Sequence, residues 1–154
     1  MKTRRILFVL LALFLVLPVI HSQKTVDQLF KEFSKEKGVE KVGIGKFTMK
    51  LAGLFTDVMG VEGIEVYSFD ACEQTVKERL NKSITSLKDG SYETMVSVNE
   101  EKERTKILVK LKDETIREIV VLTTGKDAAL VRIKGKIKPS DFETVVDKNK
   151  SGKK

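Results

Sequence analysis

The sequence predicts an α+β domain, with a mostly antiparallel sheet and helices packed on one face of it. Three observations carry this expectation. Apolar residues recur at helical spacing through the first half of the chain. After Gly90 the apolar period changes from about 3.6 residues to 2, the spacing of half-buried strands. A proline and two acids near the end then open one more helical stretch.

Taken in order, Val26, Leu29, Phe30 and Phe33 mark one helix face, with Thr25 as its N-cap and Gly38 as its stop. Val39 to Ile44 reads as a short strand. Phe47, Leu51, Leu54, Phe55 and Val58 mark a second amphipathic helix, ended by Gly60, and Ile64 to Phe69 a second strand. Asp70-Ala71-Cys72-Glu73 has the form of a capping box and opens a third helix through Val76, Leu80, Ile84 and Leu87. Two strands follow, carrying Tyr92, Thr94, Val96 and Val98, then Ile107, Val109 and Leu111, joined by the charged loop Asn99 to Arg104. Ile116 to Thr123 is apolar on both faces at its centre, which suits a central strand. In the last strand Ala129, Val131, Ile133, Gly135 and Ile137 share one face, and Arg132, Lys134 and Lys136 share the other, which is expected to be mostly wet. Gly135 suggests a bulge or a close approach of another element. Pro139 to Glu143 starts a final short helix containing Phe142, Val145 and Val146. The two leading strand–helix units leave room for a ferredoxin-like split βαβ element.

The chain opens with a basic stretch, Met1 to Arg5, then an apolar run from Ile6 to Ile20, then polar residues. That succession is a secretory signal. Fifteen apolar-run residues are too few for the roughly 20 that a membrane-crossing helix needs. Ile20 and Ser22 fit the positions before a cleavage site, so residues 1–22 are expected to leave and the mature chain to begin at Gln23. Residues 23–147 then form a single domain, and 148–154 a disordered basic tail.

Cleavage changes the charge argument. Of the 29 Lys and Arg residues, three leave with the signal and four lie in the tail, so 22 remain in the domain against 22 acids. The basic pI of about 9.4 therefore comes from the two ends. A nucleic-acid partner is not expected, because such binding needs positive charge on the folded surface. The tail lysines Lys148, Lys150, Lys153 and Lys154 could make weak contact with an anionic membrane surface. Cys72 is the only cysteine, so no intramolecular disulfide can form. The only histidine, His21, leaves with the signal.

Without histidine, neither a Ser-His-Asp nor a Cys-His site can be built, nor the usual zinc sites. Cys72 at a helix start could favour a thiolate, but Asp70 and Glu73 oppose it, and packing is the expected role. Glu100, Glu101 and Glu103, like Asp113-Glu114, fall in charged turns rather than in a desolvated cleft. Gly43-Ile44-Gly45-Lys46 lacks the full frame of a phosphate loop. No catalytic, cofactor or metal residues are assigned. Arg132, Lys134 and Lys136 form the candidate binding surface, with Arg117 beside them if the register allows. The competing reading is a strand edge guarded by lysines.

The segment Ala129 to Ile137, followed by Ser140-Asp141-Phe142, resembles the end of the domain of unknown function 4252 family. The chain's size, signal and helix-first order resemble that family too, over roughly residues 24–147. The resemblance implies a periplasmic or outer-envelope home in a Gram-negative bacterium, as for other small exported proteins of Bacteroidota. It brings no catalytic residues. Many members look like lipoproteins, whereas no cysteine closes the apolar run here. The expected function is a non-enzymatic envelope module binding a protein or small ligand. The alternative is a carrier of an apolar ligand between helices and sheet, lined by Phe30, Phe33, Phe47, Leu54 and Phe55.

Overall fold

The computed structural model describes residues 23–41 and 60–151 of the 154-residue chain. The export segment, the second amphipathic helix and the Gly43–Lys46 turn expected from the sequence lie outside the described residues, as do the side chains of Val145 and Val146.

Helix α1 (Val26–Phe33) starts where the sequence places it. Thr25 accepts from the Gln28 amide, and the Gln28 side chain accepts from the Thr25 amide, so two otherwise unpaired N–H groups are satisfied together. Its four apolar residues, Val26, Leu29, Phe30 and Phe33, are all buried. Helix α2 (Gln74–Thr85) begins later than the capping box implies. Phe69 to Cys72 makes a tight turn closed by the Cys72 N–H on the Phe69 carbonyl, which displaces Asp70 from the cap position. Glu73 takes that position without a side-chain capping bond.

Six strands, β1 (Glu40–Lys41), β2 (Val61–Ser68), β3 (Glu93–Asn99), β4 (Arg104–Lys112), β5 (Thr115–Thr123) and β6 (Ala129–Ile137), form one sheet in the order β1-β2-β6-β5-β4-β3. Every pairing is antiparallel, so β2 and β3, which α2 connects, run in the same direction with three strands between them, a split βαβ arrangement wider than the ferredoxin-like one. Helix α3 (Pro139–Ser151) closes the described chain and takes in Lys148 to Ser151, which the sequence reading gave to the tail.

The register sorts the side chains into two apolar clusters, one on each face. Leu108, Val120, Leu122 and Leu130 pack with α1 and α2. Val109, Ile119, Val121, Val131, Ile133 and Ile137 lie on the reverse face with Phe142 of α3. The expectation of helices on one face describes α1 and α2; α3 adds cover to the other. Gly135 marks a close approach of a strand start. Its neighbour Lys136 donates to the Gly60 carbonyl at 2.8 Å, and a Cβ on Gly135 would collide with that same carbonyl.

Candidate functional site

The three residues of the candidate surface do not stay together. Lys134 and Lys136 are exposed, and Lys136 reaches Glu62 at only 4.0 Å. Arg132 is 9% exposed and does not lie on a wet face. Its face of β6, which also carries Leu130, is the one that α1 crosses. The guanidinium sits 4.2 Å from the centre of the Phe30 ring and donates to Asp27 Oδ1 of α1 at 2.8 Å. Its Nε lies 2.9 Å from Glu118 Oε1, an ion pair in which the N–H does not aim at the oxygen. Arg117 falls at a register shift between Ile116 and Glu118, so the pairing of β5 with β6 sets no residue directly opposite it.

Glu118 in turn accepts from the Tyr92 hydroxyl at 2.7 Å. Burial pushes the Tyr92 phenol well up, and the hydrogen bond to Glu118 adds to it, so this tyrosine stays protonated. The arrangement holds α1 to the sheet through charge pairs centred on Arg132.

Open space lies beside α2. Helix α2 presents Gln74, Lys77, Glu78 and Asn81 one turn apart along one side. Facing it are the β3–β4 loop and the β5–β6 turn, Thr124 to Lys126. Between them run two adjoining hollows of about 500 and 470 Å³, which share Asn81, Lys102, Glu103 and Thr124 and so form one groove. The walls are held firmly. Arg104 and Thr124 exchange hydrogen bonds of 2.9 and 3.1 Å, and the Arg104 side chain donates to Thr85 of α2 and to Asn99. The groove offers carboxamides and charges of both signs, a hydrogen-bonding surface with no nucleophile beside a base. A third hollow of about 310 Å³ lies past the end of α2, lined by Leu87, Tyr92 and Leu108 among polar residues.

The sequence reading missed this groove, although one signal was present: the polar stripe of α2 is as regular as its apolar one. Cys72 is buried before the helix, and burial pushes its thiol up, with Asp70 and Glu36 adding to the rise against Lys77. Phe30 and Phe33 are packed edge-on against Tyr67 and Phe69. Phe47, Leu54 and Phe55 lie outside the described residues. Among the described residues no cluster of three or more His, Cys, Asp or Glu could hold a metal ion, and no helix is long and apolar enough to cross a membrane.

A family model described as "Domain of unknown function (DUF4252)" matches residues 31–145. The chain belongs to the domain of unknown function 4252 family. The match runs from within α1 to within α3, so in this family member it spans both walls of the groove and takes in Arg132, Glu118 and Tyr92, while Asp27 and Phe30 precede it. No curated protein and no solved structure matches the chain.

Proposed function

We propose that this family member is an exported, non-enzymatic module of the cell envelope that binds a protein segment or a small polar ligand. The groove beside α2 supports the binding reading. A ligand there would meet Gln74, Asn81 and Asn99 as carboxamides, and Lys77, Lys102 and Lys126 opposed by Glu78 and Glu103. Such a surface recognises hydrogen-bonding patterns and charge, and its size falls within the roughly 300–1,000 Å³ of known ligand sites. Export rests on residues 1–22, whose basic, apolar and small-residue succession is that of a cleaved signal.

The test is amide NMR of the chain from Gln23, titrated with short peptides and with small zwitterions. Binding should move the signals of α2, residues 99–104 and residues 124–126 together. The exposed pair Asn81→Ala and Glu103→Lys should remove those shifts while leaving the melting temperature in place. Ligand-dependent shifts elsewhere, untouched by this pair, would refute the groove as the site.

A further inference from the structure

Strand β3 ends the sheet, with no partner on its outer side among the described residues. Long edge strands usually carry a lysine or a proline that discourages pairing. Between Glu93 and Asn99 there is neither, and the irregularity in the strand is a register shift between Thr94 and Val96, which leaves Val96 to Asn99 regularly paired to β4. The large hydrophobic residues exposed among the described ones are Met95, Val98 and Leu111, at 46, 44 and 39%. All three belong to the β3–β4 hairpin. The strand is therefore apolar and open in its middle, with acids at both ends: Glu93 begins it, and Glu100 and Glu101 follow it.

Those end charges select the occupant. If β3 paired antiparallel with a second copy of itself, Glu93 of each copy would come against Asn99, Glu100 and Glu101 of the other. Like charges would then meet at both ends, which disfavours the pairing. A strand with an apolar middle and basic ends meets opposite charges at both. At its Asn99 end β3 also runs into the groove beside α2, whose rim carries Glu100 and Glu101.

We propose that β3 is a strand-addition surface for an extended segment of another protein, apolar at its centre and basic at both ends. Backbone pairing along β3 supplies the affinity, and the flanking acids set partner choice and register. The proposal rests on the reading of the chain as a binding module and names its partner class.

The probe is a synthetic nine-residue peptide with a Val-Thr-Val-Thr-Val centre and two lysines at each end, titrated into the chain from Gln23. A second peptide carries glutamates in place of the lysines. The basic peptide is expected to slow amide exchange along β3 and to bind more weakly as salt rises. The acidic peptide should bind at least about tenfold more weakly. The double variant Met95→Lys and Val98→Lys changes exposed side chains only; it should lose the basic peptide and keep its melting temperature. Equal binding of both peptides would overturn the proposal, as would concentration-dependent pairing of the protein through β3 alone. Shifts confined to α2 and the two turns, with β3 unmoved, would overturn it while leaving the groove reading standing.

Discussion

Arg132 shows how much one side chain can owe to what lies across it. On β6 alone it is a member of a basic row; beneath α1 it becomes the counter-charge of Glu118 and the floor under Phe30. The pair is unequal in its partners, because Asp27 has a side chain 82% exposed and Glu118 only 12%. Removing Arg132 therefore leaves chiefly Glu118 without compensation. Arg132→Met is expected to lower stability by about 3 kcal/mol, towards the low end for a broken buried pair because Tyr92 still donates to the carboxylate. Adding Glu118→Leu should restore part of the loss, since an apolar pair needs no desolvation while the Tyr92 hydroxyl loses its acceptor. Urea unfolding of both variants decides it; a stable single variant would mean that the charge is not confined. At Cys72 the raised thiol pKa and burial both oppose a thiolate. Native protein should react slowly with iodoacetamide at neutral pH and unfolded protein quickly. Fast reaction of the native state would reopen the nucleophile.

Elements owe their boundaries to a few backbone and capping contacts. The β4–β5 hairpin turns through Asp113 and Glu114, both in the left-handed region at φ 52° and 58°. That geometry matches the strand twist, but it is strained for residues with a side chain. Glu114→Gly is expected to stabilise the protein by about 1 kcal/mol in thermal unfolding. A neutral or destabilising result would show that the turn relaxes outside this region. Asp89 links α1 to the chain beyond α2 by accepting from the Val26 and Ser91 amides, both at 3.0 Å. Burial raises its pKa, yet these hydrogen bonds and Lys110 outweigh burial and leave it below the ordinary carboxylate value. Its contribution is thus present above that ordinary value and is lost as pH falls through the lowered one. Asp89→Ala should cost about 1–2 kcal/mol at pH 7, as losing an N-cap does, and the difference from the parent should shrink in strong acid. A difference that stays constant with pH would assign the effect to something other than the carboxylate. The periodic apolar positions made α1 and the strands of this fold legible in the sequence. The start of α2 was not, because the turn at Phe69 to Cys72 is set by its own backbone bond and overrides a good capping pattern. The groove was not legible either, since it forms only where α2 meets two turns distant in the chain.

On the scale of the whole molecule, the alternation along β6 fixed which residues share a face but not which face receives α1. Both faces of the central strands are apolar, so the pattern alone could not choose. At the amino-terminal end of the described residues, side-chain contacts tie the start of α1 to α2. Lys24 pairs with Glu32 at 2.6 Å and donates to Ser83 of α2 at 3.0 Å, while Thr25 caps α1. Cleavage after Ser22, expected from the basic, apolar and small-residue succession of the sequence, would leave these contacts intact. The mass of the exported protein is accordingly expected to correspond to a start at Gln23. A recombinant chain from Gln23 should keep all of these bonds, whereas its Lys24→Ala, Thr25→Ala variant loses both the cap and the Lys24 bridge. The cap is worth about 1 kcal/mol and an exposed pair less, so the variant should be about 1–2 kcal/mol less stable. Equal stability of the two chains would mean that α1 is held by its buried face alone. An exported protein starting beyond Thr25, or one that keeps residues 1–22, would overturn the boundary itself.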